Sequence, residues 1–428
     1  MLLLIAIVAF VNLGLPDGVL GVAWPSIRRS FTLPLSELGV LLGALMVGYL
    51  ASSFSGGPIV ARLGVGRLLF WSSILMVISS LGYAAAPAWP VMLLGGLLAG
   101  LGAGAIDAGI NAFAAARFPA RLVNWLHASY GVGATLGPLL MTGVLTAGLS
   151  WRWGYAAIGA LLAAMALCFA ATLGLWDVER GRAHARAGAT GETGAGRSGG
   201  ASFADTIRQP RLWMNVTLFF VYTGLEVTAG QWTYSLLTEG RGISAATAGI
   251  WVAVYWGSLT LGRVVFGALT LRCSSTALLR AGLIGAPLAA AVIWFDPASL
   301  GLLGLAPLGF SLAPIYPLLI SATPQRLGSE HVDHAIGLQV AAGYLGTAAL
   351  PGAAGMLARA HGLELIGPFL LAAAVALLAF HEAALRQTRV VPASQRSGVR
   401  RLAAEDRRTD RAVARVLPAP NVTGRRRS

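Results

Sequence analysis

Charge is scarce in this chain of 428 residues: Asp, Glu, Lys and Arg make up 11% of it, against roughly 25% in soluble proteins. Lysine is missing altogether, so all 31 basic residues are arginine. So little polar surface cannot cover a water-facing exterior, which excludes a soluble globular protein of this length. Cysteine is nearly absent. Cys168 falls in an apolar run and Cys273 in a short polar stretch, which excludes a disulfide framework and offers no metal-ligand spacing. HExxH and CxxC are both missing, and no catalytic triad or phosphate loop stands in a suitable context. An enzyme would therefore have no nucleophile or metal cluster to work with. The N-terminus also lacks the basic segment and cleavage site of a signal peptide. "MLLLIAIVAFVNLGL" is apolar from the start and reads as a first membrane span.

What is present is hydrophobic: 56% of the residues, with a mean hydropathy of +0.71. A helical span needs about 20 apolar residues. That measure places spans near 2–24, 36–59, 67–87, 90–116, 123–147 and 153–176, and again near 212–237, 243–268, 275–295, 299–322, 333–357 and 363–386. The expected fold is an all-α membrane protein of twelve transmembrane helices in two pseudo-symmetric six-helix bundles. The bundles cover 1–176 and 212–386. A flexible cytoplasmic linker rich in Arg, Gly and Ser joins them over 177–211, and a disordered Arg-rich tail fills 387–428. Twelve arginines lie from Arg386 onward and supply most of the net charge of +14. The basic balance thus points to anionic lipid headgroups and not to nucleic acid.

Arginine placement sets the orientation. With the first loop outside, the inner loops hold Arg62, Arg67, Arg117, Arg121, Arg272, Arg280 and Arg326, and the linker adds six more. The outer loops hold only Arg28, Arg29, Arg152, Arg241 and Arg359. The positive-inside rule then puts both termini in the cytoplasm of a bacterial inner membrane protein. The halves also repeat at a constant offset. Gly14-Leu15, Gly39, Gly57, Arg62 and Leu68-Leu69 recur as Gly224-Leu225, Gly249, Gly267, Arg272 and Leu278-Leu279. Gly100 and Arg117 match Gly309 and Arg326, and Leu126-His127 matches Leu338-Gln339. Repeated halves are the plan of transporters that bind at the midplane and alternate access.

These motifs carry a resemblance. "GGPIVARLGVGR" is similar to the loop between spans two and three of the major facilitator superfamily, with Ala61 where an acidic residue is usual. "GRVVFGALTLR" is similar to its partial copy between spans eight and nine. "LPDGVLGVAWP", "GAIDAGINAF", "LHASYGVGATLGP" and "SLAPIYP" resemble the fucose permease-like branch, which includes sugar–proton symporters. That resemblance implies proton coupling and sugar binding by an acid in span one and an acid-x-x-x-Asn in span four. Carried over, these roles fall on Asp17, Asp107 and Asn111. Where the branch often has Glu and Asn-Pro in span four, this chain has Asp107 and Asn111-Ala112.

The residues support the same assignment on their own terms. Asp107 and Asn111, at i and i+4 in "GLGAGAIDAGINA", share one helix face. An Asp at mid-span costs roughly 2.5–3.5 kcal/mol on insertion scales and persists where it faces a cavity or a partner. The alternative is a structural hydrogen bond between helices. Gly100, Gly102 and Ala105 mimic a dinucleotide loop but lack the strand that motif requires, so they read as a packing face. Asp17, between Pro16 and Gly18, is expected toward the outer end of span one as a proton acceptor or an interfacial acid. Glu226 lies too deep to snorkel. Gln231 and Trp232 follow it, and a Trp there serves either an aromatic belt or stacking on a pyranose. His127 and its repeat-mate Gln339 would sit on the cavity wall or act as packing. Pro314 and Pro317 are expected to break span ten as part of the gate, with Gly57, Arg62, Gly267 and Arg272 in the matching inner loops. Arg263 is expected near the cytoplasmic end of span eight, pairing with carbonyls or across the gate.

The function expected is proton-coupled import of a small neutral polyhydroxylated solute, most simply a monosaccharide. A proton-driven exporter of amphipathic compounds and a non-transporting receptor are the alternatives. The expected partners are solute, protons and the lipid bilayer, with the chain acting as a monomer and needing no cofactor or metal.

Overall fold

Backbone groups in a bilayer find no partner but their own segment, so long apolar runs close into helices. The computed structural model describes residues 1–118, 120–190, 201–296 and 299–389. Among the described residues there is no strand, and twelve helices are long and apolar enough to cross a membrane. The first six are α1 (Leu2–Ser30), α2 (Glu37–Leu63), α3 (Val65–Ala85), α4 (Trp89–Arg117), α5 (Ala120–Thr146) and α6 (Trp151–Thr190). After a short α7 (Phe203–Ile207) come α8 (Pro210–Ser235), α9 (Ala245–Leu269) and α10 (Ser275–Phe295). The tenth span is split into α11 (Leu305–Leu312) and α12 (Ile315–Leu327), and α13 (Val332–His361) and α14 (Ile366–Arg389) complete the set. Residues Met1–His381 form one compact unit. Of the second unit, Glu382–Ser428, only the end of α14 is described.

Local chemistry explains the boundaries. Pro210 opens α8 and Pro90 stands in the first turn of α4, where a missing N–H costs nothing. Ser244 and Ser274 cap α9 and α10 by accepting the N–H of Thr247 and Ala277. The tight α2–α3 turn passes through Gly64 at φ 82°, a conformation that disfavours any residue with a Cβ. Two expected limits move. α1 continues past residue 24 to Ser30, with Arg28 and Arg29 in its last turn, where the helix dipole favours cations. α6 continues through 177–190, within the expected linker, because Ala, Arg and Glu propagate a helix without any apolar stripe. The rest of the linker is not formless either. Ser202 caps α7, the Ala201 N–H donates to the Glu330 carbonyl, and Thr206 and Gln209 hold the two ring nitrogens of buried His331. Linker residues 191–200, Pro297 and the tail from 390 lie outside the described residues.

The sequence repeat acquires a structural meaning in the helix contacts. Gly14 of α1 presses on the Tyr130 carbonyl of α5, and its counterpart Gly224 of α8 presses on Leu350 of α13. Gly100 of α4 meets the Leu45 carbonyl of α2, and Gly309 of α11 meets the Tyr255 carbonyl of α9. A Cβ at Gly100 would lie 1.9 Å from that oxygen, so only glycine allows the approach. Between the halves, Gly39 of α2 touches Gly352 of α13, and Gly249 of α9 touches Thr142 of α5. Equivalent glycines therefore make equivalent contacts in the two halves, six spans to each.

The named contacts between the halves share one depth range. They run from mid-span to the face opposite Met1, hereafter the far face. Arg28 at the end of α1 binds Glu239 at 2.9 and 3.1 Å, Trp232 and Leu35 crowd Gly355, and Gly257 and Gly131 approach Thr135 and Thr260 across the α5–α9 seam.

Candidate functional site

Eight helices bring polar side chains to the middle of the unit. Asp107 of α4 accepts the Tyr49 hydroxyl of α2 at 2.6 Å and the Asn111 amide at 2.9 Å. The i and i+4 positions thus share one face, as their spacing requires. Tyr344 of α13 donates in turn to the Tyr49 oxygen, with the rings 4.0 Å apart, so a chain Tyr344–Tyr49–Asp107 crosses between the halves. Asp17 of α1 accepts the Tyr130 hydroxyl of α5. Glu226 of α8 accepts the Tyr222 hydroxyl one turn before it and faces the Arg263 guanidinium of α9 at 3.5 Å. The Glu226 backbone carbonyl accepts the Tyr255 hydroxyl at 2.8 Å. Each of the three carboxylates therefore has its own tyrosine donor.

The cluster is one electrostatic unit. Asp17 lies within electrostatic reach of Glu226, and His127 of both Asp107 and Arg263. Tyr316 of α12 lies within reach of Asp107, Glu226 and Arg263. Its ring packs edge-on to Phe219 at 5.2 Å. Asp17, Asp107, Asn111, Tyr316 and Tyr344 are all partly exposed, and His127 is exposed beside Phe10. The glutamate and arginine side chains keep 13% and 24% of their surface exposed, so the ion pair is not sealed in the interior.

Several expected positions change. Asp17 is mid-helix in α1 and not near its outer end, because α1 is longer at the far face than its apolar run suggests. Arg263 is set six residues inside the end of α9 and faces Glu226 of α8 within the cluster. Trp232 is fully buried and donates to the Pro351 carbonyl of α13 at 2.9 Å, which ties two spans together. Gln339 is fully buried at the other end of α13, accepting from Thr323 at 3.1 Å. Gln231 is buried as well and donates to the Asp17 carbonyl at 2.9 Å. Arg62 is exposed in the last turn of α2 and Arg272 in the turn that follows α9, and Gly267 has open space around it. Gly57 lies within α2. Pro314 caps α12 at the break in the tenth span, and Pro317 follows it. The residues that sequence reasoning missed are Tyr49, Tyr130, Tyr222 and Tyr344. Their signal was slight, since a tyrosine in a span also suits a lipid interface.

Comparison with known proteins agrees with this architecture. A family profile described as Major Facilitator Superfamily matches residues 2–332. "Bypass of stop codon protein 6" of Saccharomyces cerevisiae is 24% identical over 84% of this chain and 77% of its own length. A hexuronate transporter of Bacillus subtilis is 23% identical over 56% of this chain, which spans 57% of that protein. Among solved structures, a D-xylose-proton symporter superposes with a TM-score of 0.70 at 15% identity, covering 89% of this chain and 97% of that one. At that identity the likeness is one of fold.

Proposed function

The chain belongs to the Major Facilitator Superfamily, and from that membership we propose that it carries a small polyhydroxylated solute of monosaccharide size into the cell, driven by protons and by alternating access. It is a multi-pass membrane protein and a transporter. The observation that carries the finer reading is the central cluster: three carboxylates, each with a tyrosine donor, gathered from both halves and open to solvent. Hydroxyl and carboxylate groups suit a polyol, which both donates and accepts. The hexuronate of the Bacillus subtilis relative is small and hydroxyl-rich, which supports the class.

The excess of arginine at the Met1 face supports a cytoplasmic location for both termini in a bacterial inner membrane. The far face is then outside, and the contacts of α1, α2 and α5 with α8, α13 and α9 close it. Solute in the cluster would leave toward the cytoplasm. Of the two coupling acids, Asp107 and Asp17, neither of which has an arginine partner among the described residues, Asp107 carries the proton in this reading. Loading Asp107 with a proton removes the charge that orients Tyr49, and Tyr344 of the other half leans on that same hydroxyl. Proton occupancy is thereby read by the contact between the halves. Asn111 and Tyr316 meet the solute, and the domain limits remain those of two bundles, 1–176 and 212–386, acting within one monomer.

The test is uptake of labelled monosaccharides and their derivatives into vesicles with an imposed pH gradient. Accumulation that collapses with the gradient supports the reading. If none accumulates, and none of a broader panel shifts the thermal stability of the purified protein, the reading is wrong.

A further inference from the structure

Arg263 is the group that proton carriage leaves without a task. A neutral solute is the expectation from sequence, in which Arg263 has a gate role. Its place in the centre changes that. The guanidinium meets Glu226 in a single contact of 3.5 Å, longer than a charge-assisted hydrogen bond, with Tyr222 beside it. The second oxygen of Glu226 accepts from Tyr222, and the guanidinium reaches the carboxylate only through the first, so no two-point clasp is formed. A guanidinium presents five N–H donors in a planar fork, which matches a carboxylate edge-on. Glu226 at 3.5 Å and the Tyr222 hydroxyl engage only part of that fork, and a quarter of the side chain stays exposed. Among the described residues it is the only Arg or Lys in the cluster.

We propose that Arg263 receives a carboxylate of the transported solute, so that the preferred cargo is a hydroxylated monocarboxylate of monosaccharide size, a uronate or an aldonate. The proposal rests on the reading of this cluster as the solute site. Tyr316, close to Arg263 and partly exposed, is placed to meet a hydroxyl of the same molecule. The charge balance agrees with proton coupling. The groups facing Arg263 are Glu226 and Tyr222 from α8, Tyr130 and His127 from α5, Tyr255 from α9 itself and Tyr316 from α12. Asp17 lies within reach of Glu226 and Asp107 within reach of His127, so three carboxyl groups share the cluster with one guanidinium. A further anion is held there only when carboxyl groups in the cluster carry protons, so entry of the anion and entry of protons are tied together.

The experiment compares matched pairs on the purified full-length protein at mildly acidic pH and fixed ionic strength: D-glucuronate with D-glucose, D-galacturonate with D-galactose, and D-gluconate with D-glucitol. Binding is read by titration and by thermal shift. In at least one pair the acid is expected to bind about 10- to 100-fold more tightly, the effect of a charged hydrogen-bonded pair. Arg263→Gln is expected to bring that pair to equality, and Arg263→Lys to restore part of the difference. Since Arg263→Gln strands Glu226, the double variant Arg263→Gln/Glu226→Gln serves as a second form, with binding of the neutral twin as proof of folding. If the neutral twins bind as well as or better than the acids, or if the acid preference survives in both glutamine variants, the proposal is overturned while the polyol reading stands. If no compound of any pair binds the wild type, the polyol reading falls and the proposal with it.

Discussion

Replacing Asp107 by Asn separates carrying a proton from making contacts. The side chain accepts from Tyr49 at 2.6 Å and from Asn111 at 2.9 Å. An amide has nearly the same shape: its oxygen can accept from Tyr49, and its N–H₂ can donate to Asn111 once that carboxamide turns over. Two neutral hydrogen bonds then replace two charge-assisted ones, and each kind differs by about 1 kcal/mol, so the fold is expected to persist. What disappears is the proton. A gradient of one pH unit supplies roughly 1.4 kcal/mol per proton, which concentrates a one-proton symport solute about tenfold. For Asp107→Asn the accumulation ratio in proteoliposomes is expected to fall to about one, with exchange of labelled for unlabelled solute at equal pH retained. Accumulation to the wild-type ratio would refute Asp107 as a proton carrier. Loss of exchange together with accumulation would make it a binding or structural group.

Other consequences follow from particular contacts. Gly100→Val sets a side chain against the Leu45 carbonyl, 1.9 Å from the first added carbon, and should destabilise by about 1–3 kcal/mol or more in thermal unfolding. Gly43→Ala meets nothing within 4 Å and should leave unfolding unchanged. Arg28→Ala or Glu239→Ala removes the far-face clasp between α1 and α8. An exposed pair contributes about 0.2–1 kcal/mol, so the population open at the far face should rise by at most about fivefold, read from spin-label distances between the far ends of those helices. The Ser202 hydroxyl donates to Asp205 at 2.7 Å and holds its carboxyl below the ordinary 3.8. Support for α7 is therefore full above that value and lost as pH falls through the lowered one, so amide exchange across 203–207 should quicken only in acid. Asp205→Asn should remove that dependence.

The spans were legible because a bilayer admits only long apolar helices, and the repeat because glycines at close approaches tolerate no substitute. Asp107 with Asn111 was legible for a related reason, since a carboxylate in an apolar run must face a cavity or a partner. Depth along a helix was not. Arg28 and Arg29 closed the apolar count of span one early, which misplaced Asp17, and Arg263 looked terminal because its partner Glu226 is on another helix. The tyrosines were hidden by their dual use: a phenol suits a lipid interface as well as a carboxylate partner, and only packing chooses. Trp232 and Gln339 show the converse. Polar or aromatic identity in a span suggested a wall residue, whereas Trp232 spends its N–H on Pro351 and Gln339 its oxygen on Thr323.

Proton movement driven by the solute alone tests the account most directly. Proteoliposomes with a trapped pH indicator and no imposed gradient are given solute outside, and the internal pH is followed. The account predicts internal acidification in step with solute entry for the wild type and none for Asp107→Asn. Solute entry by the wild type without any change of internal pH would contradict it.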